Sequence, residues 1–237
     1  MKAMRRRYSG TIRATGDTVG ERGQEYFSVS VAPNGHRTLQ ATCEIYDRQV
    51  SKDIVYTVDE RWRPIDCYTR LQKNGTYLGD GWFRFGDDFA SLEGFNISSG
   101  RISQHMRLDR RPQSFGPHPL SADVLHLATF DHRSGVNPQP TRGSMLNSLE
   151  HDGCSGPMLN PIDFRIEYVG PERVTVRAGT FDTHHYRFLV EGSLPKEHPT
   201  EELWCTPDDF VMVKIRVGGY LATTYELIDF RDDVNVA

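Results

Sequence analysis

The stretch "PHPLSADVLHLATFDH", residues 117–132, gathers His118, Asp123, His126 and His132 among apolar residues. A neutral imidazole backed by a carboxylate is the usual general base near pH 7, and His118, His126 and Asp123 supply those groups on one short segment. Asp123 and His126, at i and i+3, could also reach one metal ion, with His118 or His132 completing the shell. That spacing lacks the regularity of H-E-x-x-H, so proton transfer with no metal and no cofactor is the expectation. Farther along the chain, His105 alternates with Ser103 and Arg107 in "RISQHMRL", and Arg84 shares a strand face with Trp82 in "GWFRF". If those faces line an interior, they can hold an anionic or phenolic group; otherwise they are solvated outer faces. His184 and His185 are neighbours on a strand, so at most one enters a given pocket, and Tyr186 can pair with Tyr225 on a nearby strand to orient a carbonyl or phenolate. The expected catalytic set is His126, His118 and Asp123, and the expected substrate-binding set is Trp82, Arg84, His105, Arg107, His185, Tyr186 and Tyr225.

Those groups need a scaffold, and turn chemistry outlines it. "PNG" at 33–35, "KNG" at 73–75, "SSG" at 98–100, "GPE" at 170–172 and "GG" at 218–219 separate short β-type runs. Such turns permit positive φ and close antiparallel hairpins. In "VMVKIRV" (211–217), Val211, Val213, Ile215 and Val217 alternate with Met212, Lys214 and Arg216, which predicts one buried face. In "GWFRF", Trp82 and Arg84 oppose Phe83 and Phe85, a strand that wants cover on both sides, as in a barrel with core on one side and ligand or plug on the other. The exception is the Pro- and Gly-rich region 110–161. Within it Ser121 is a candidate N-cap for a helix from Ala122 to about Asp131. The expected fold is therefore mainly β: a single antiparallel, calycin-like barrel spanning 1–237, with 110–161 as an inserted helical lid over one end.

The chain has 237 residues, 37% hydrophobic and 25% charged, with a net charge of −4. Acidic and basic residues are interspersed, which excludes a phosphate-binding stripe and so a nucleic-acid partner. No apolar run approaches the roughly 20 residues of a membrane span. The N-terminal "MKAMRRRYSG" has the basic flank of a signal peptide, but Tyr8, Ser9 and Gly10 stand where the apolar run should begin, so a cytoplasmic location is expected. Cys43, Cys67, Cys154 and Cys205 are widely spaced, without a C-x-x-C pair, and are read as free thiols.

In the C-terminal third, "VTVRAGTFDTHHYRF" (174–188), "ELWCTPDDFVMVKIRV" (202–217) and "TTYELIDF" (223–230) follow in order. Together they resemble an uncharacterised bacterial antiparallel β-barrel family carrying V-x-A-G-T-F-D-T, then W-x-T-P-D and K-I, then Y-E-L. A Pro is common in that family where Arg177 stands, and its members are often exported. The resemblance implies a barrel fold and the binding of lipid-like or other small apolar molecules; it brings no catalytic residues.

No G-x-S-x-G elbow, phosphate-cradling loop or dinucleotide-binding glycine pattern is present. The functional expectation is a cofactor-free acid–base enzyme, a lyase, isomerase or hydratase, acting on a small, largely apolar, aromatic molecule. The alternative is a non-catalytic carrier of an apolar small molecule. A structural or partner-binding role rests only on exposed strand edges, which also permit a homo-oligomer.

Overall fold

Positive φ at Asn74 and Gly75 (53° and 70°) turns the strand Pro64–Lys73 back onto Thr76–Phe85, as Asn-Gly turns do. Hairpins of this kind recur through the computed structural model, which describes residues 4–190 and 199–236. The strands before the insert are β1 (Met4–Gly16), β2 (Gly20–Val31), β3 (Arg37–Ile45), β4 (Val50–Val58), β5 (Pro64–Lys73), β6 (Thr76–Phe85), β7 (Phe89–Asn96) and β8 (Gly100–Arg107). The insert contributes β9 (Ser114–Gly116), α1 (Leu120–Asp123) with a 3₁₀ turn over Val124–Thr129, β10 (Gln139–Pro140), β11 (Ser144–Leu146) and β12 (Asn160–Ile162). The remaining strands are β13 (Arg165–Val176), β14 (Gly179–Leu189), β15 (Glu201–Cys205), β16 (Met212–Val217) and β17 (Thr223–Val236).

Fourteen strands form one sheet in the order β10-β13-β14-β15-β16-β17-β1-β2-β3-β4-β5-β6-β7-β8, and every neighbouring pair in it is antiparallel. Its two ends, β10 and β8, do not pair with each other among the described residues. The closed, calycin-like barrel expected from sequence is thus corrected to an open, barrel-like sheet. The insert explains how an open sheet covers its core. Its own small sheet, β12-β11-β9, and the helical turn send Phe115, Leu127, Met145 and Ile162 into the same buried cluster as the strand residues. Phe115 alone packs against Tyr56, Phe83 and Phe85, with ring centroids 5.9, 4.9 and 4.9 Å away.

Strand alternation sets which side chains face this core. Val213, Ile215 and Val217 are buried while Arg216 is exposed, and Met212 joins the buried side at a bulge opposite Cys205. In β6 the inward residues are Phe83 and Phe85, so Trp82 and Arg84 face outward. The helix expected over 122–131 is shorter. One α-turn, with Pro119 as the residue before it, gives way to the 3₁₀ turn, which ends where Phe130 adopts an extended conformation and the Thr129 hydroxyl donates to the His126 carbonyl at 2.8 Å. Ser121 is not the cap; it lies inside the turn.

Candidate functional site

Two ionisable residues occupy positions that strand parity assigns to the core. In β2, Glu25 continues the inward series Phe27 and Val29; in β4, Lys52 stands between Val50 and Ile54. The register places Glu25 opposite Cys43 and Cys43 opposite Lys52, a row across three adjacent strands. Glu25 is 1% and Lys52 4% exposed. Burying such charges is costly unless each is paired and hydrogen-bonded, and the insert supplies the partners. The Glu25 carboxylate accepts the backbone N–H of Leu120 at 2.7 Å, that of Ser121 at 3.0 Å, and the Ser121 hydroxyl. It therefore does the work assigned above to a Ser121 cap, satisfying free N–H groups of the first turn from a neighbouring strand. Lys52 Nζ donates to the carbonyl of Asp152 at 2.9 Å and to that of His118 at 3.4 Å. His118 itself has a left-handed backbone, φ 71°, uncommon for a residue with a Cβ, and its Nε2 meets the Ser148 carbonyl at 3.0 Å.

Between this row and the insert lies a cavity of about 150 Å³. Its wall includes Ile12, Leu120, Phe164, Phe188 and Leu221 on the apolar side, and His118, Asp123, His126, Glu201 and Tyr225 on the polar side. His126, 3% exposed, is held edge-on to the rings of Phe164 and Phe188, and its Nδ1 lies 2.7 Å from the hydroxyl of Ser114, which in turn contacts that of Ser144. Burial pushes the His126 imidazole down to about 4, and burial followed by the nearby Lys52 charge pushes His118 down to about 3, so both rings are neutral at pH 7. The Asp123 carboxyl moves the opposite way. Burial, then the neighbouring charges of Glu201 and Glu25, hold it well above the usual carboxylate range despite Lys52. Burial also raises the Tyr225 phenol, and the Cys43 thiol is pushed up to about 12, which leaves it unreactive.

Several polar groups at this wall are already committed. Arg22 is taken by Asp47, the Leu221 carbonyl and the Thr223 hydroxyl, and Arg48 by Asp152. Among the described residues, the Asp123 carboxyl, the Tyr225 phenol and Nε2 of His126 have no hydrogen-bond partner. All three residues line the cavity, with Nε2 of His126 lying beside Gly116.

The structure thus brings together His118, Asp123, His126 and Tyr225 and leaves the other expected residues elsewhere. Trp82, 47% exposed, stacks with the Arg84 guanidinium on the outer face, and His105 and Arg107 are exposed on β8, where His105 lies against Phe89. The proposed interior lining by these four is corrected, because their strands turn the opposite parity inward. His185 lies on the face of β14 opposite Tyr186 and Phe188, covered to 8% exposure, stacked on Trp204 at 4.1 Å and flanked by Glu172 and Glu202, each 3.6 Å away. Tyr186 does not pair with Tyr225; β14 and β17 are separated by β15 and β16, and Tyr186 instead meets Tyr168, His132 and His184. Glu25 and Lys52 were missed. The signal for them was an ionisable residue on the apolar parity of a strand.

Gly116 leaves the space His126 needs: a Cβ there would sit 2.6 Å from Nε2 of His126 and 2.7 Å from Leu146. Gly116→Ala is expected to cost about 1–3 kcal/mol of stability, the usual range for overpacking, and to move the His126 ring. Urea denaturation and the His126 ring resonances in NMR check it; a variant with unchanged stability and spectrum would show that the ring is not wedged there.

The barrel-like fold and a polar-ended inner cavity define the class; the comparisons add neighbours of that shape. No family model matches the chain, and no curated protein matches it. Among solved structures, a β-barrel-like protein of domain of unknown function DUF1849 from Brucella abortus aligns over 98% of this chain and 98% of its own, with a TM-score of 0.52 and 7% identity. A "putative lipoprotein" from Parabacteroides distasonis aligns over 94% of both chains, TM-score 0.43, 9% identity. A "putative exported protein" with a YmcC-like fold from Bacteroides fragilis aligns over 95% of both, TM-score 0.40, 10% identity. The first shares the fold, in line with the expected likeness to uncharacterised bacterial β-barrels. The cytoplasmic location expected above rested only on the missing apolar run after Arg7 and is withdrawn.

Proposed function

We propose that this chain binds a small, largely apolar, aromatic molecule with an uncharged polar end inside the cavity and moves a proton on it, as a cofactor-free lyase, isomerase or hydratase. The observation that carries the proposal is that Asp123, His126 and Tyr225 line one space, the Asp123 carboxyl and the Tyr225 phenol making no hydrogen bond among the described residues. A cavity near 150 Å³ takes about one benzene-sized ring. Phe164 and Phe188 offer it edges and faces. Asp123, whose carboxyl burial holds well above the usual range, can donate; His126, held neutral, can accept. Opposed shifts of this kind are how a single site runs acid and base steps together. A plain carrier is the second reading, favoured by one fact: Lys52, Arg22 and Arg48 are all spent on protein partners, as a passive cavity requires.

With Arg22, Arg48 and Lys52 committed, no cation among the described residues that line the cavity is free to meet an anion, so neutral heads are expected to bind better than anionic ones. In a thermal-shift or calorimetric series, benzyl alcohol should outbind benzoate by about tenfold or more, since a buried unpaired charge costs several kcal/mol. Equal affinities would sink the neutral-head assignment. Once a screen finds a substrate, Asp123→Asn and His126→Ala should each lower turnover by about 100-fold, the typical contribution of positioned proton transfer. Tight binding with no turnover of any bound compound would leave the carrier.

A further inference from the structure

Outside the cavity, two imidazole nitrogens from different elements approach one oxygen. Nε2 of His132, in the loop after the 3₁₀ turn, lies 3.0 Å from Oη of Tyr186, and Nδ1 of His184 lies 3.4 Å from the same atom. The two imidazole rings are 5.2 Å apart between centroids, and Tyr168 packs edge-on against both, at 4.6 and 5.2 Å, which fixes their orientations. Tyr186 is 1% exposed, whereas His132 reaches solvent. The group therefore has a fixed floor and an open side.

We propose that His132, His184 and Tyr186 form a binding site for a divalent transition-metal ion of the zinc or copper(II) class. Imidazole nitrogen suits these ions, and three protein donors with an open position is a familiar arrangement for them. Both nitrogens lie within 3.4 Å of the phenol oxygen, so an ion seated between the three donors, with a small shift of the exposed His132, replaces the hydrogen bonds that the phenol now makes with them. Each imidazole donates its nitrogen lone pair, the phenol oxygen is the third ligand, and water enters from the exposed His132 side. Any proton leaving the phenol passes to that water. The negative charge of Asp208 lies near His184 and favours a cation there. The phenol is needed as the third donor, since among the described residues no three of His, Cys, Asp or Glu come together as a metal site.

The test is titration of chelator-stripped protein with Zn²⁺ by calorimetry. One saturable site per chain is expected, weakened by about tenfold or more in both His132→Ala and His184→Ala, since each removes a direct ligand, and unchanged in His105→Ala, which alters an exposed imidazole on β8. A spectroscopic arm needs no substitution: Cu²⁺ bound at one equivalent should show hyperfine coupling to two imidazole nitrogens. Absence of saturable uptake, uptake that survives both histidine substitutions, or coupling to a single imidazole would overturn the site.

Discussion

Lys52→Met is expected to destabilise the protein by about 2–4 kcal/mol, the cost of leaving two buried carbonyls without their charged donor. Methionine fills most of the lysine volume, so the loss is polar rather than steric. It strands the Asp152 and His118 carbonyls, and it removes a positive charge that adds to the Ser121 and Leu120 hydrogen bonds in offsetting the burial of Glu25. Glu25→Ala should cost a similar amount for a complementary reason: the N–H groups of Leu120 and Ser121 and the Ser121 hydroxyl lose their shared acceptor. Because the two residues act on the same segment, the double variant should lose less than the two losses added together, a coupling expected of groups in one network. Urea denaturation at pH 7 of the four proteins measures this. A Lys52→Met variant within about 1 kcal/mol of the parent would mean that the ammonium is hydrated or dispensable.

This pair also shows where sequence reading stops. The strands were legible because their turns carry Asn-Gly and Gly at positions that do adopt positive φ, among them Asn74, Gly75, Gly100 and Gly219. The histidine-bearing segment was legible because His118, Asp123 and His126 are close along the chain, so one short element delivers all three. Glu25 and Lys52 lie 27 positions apart in sequence and come into one row, on either side of Cys43, only through the register of β2, β3 and β4. Alternation separates the two faces of a strand without saying which is inward. Trp82 with Arg84 and Phe83 with Phe85 were separated correctly, yet only the packing of Phe115 shows that the phenylalanines are the inner pair. Closure of the sheet is likewise decided by what fills it, and here the insert's own side chains do so.

The second large effect is in the pH dependence of stability, where two residues of one cavity should act with opposite sign. His126 takes up a proton near pH 6.5 when unfolded but only near 4 when folded, because burial disfavours the imidazolium. The unfolded chain therefore binds more protons between those values, and stability falls as pH drops from 6.5 toward 4, by roughly 3 kcal/mol in total. His118 adds to the same slope and extends it to about 3. Asp123 opposes it. Its folded carboxyl keeps a proton that the unfolded chain has already released, so its contribution to stability is present at low pH and is lost as pH rises. Between pH 5 and 6.5, carboxylates of ordinary pKa stay ionised and hardly interfere. In that window His126→Asn should flatten the rise of unfolding free energy with pH by up to about one proton, while Asp123→Asn should steepen it. Asparagine at 126 can still meet the Ser114 hydroxyl and at 123 keeps the shape of the neutral acid, so both variants should fold. Urea denaturation at three or four pH values across the window gives the slopes directly. Parallel curves for the parent and both variants would mean that these groups titrate alike in the folded and unfolded chain, and the acid–base assignment of the cavity would lose its physical basis.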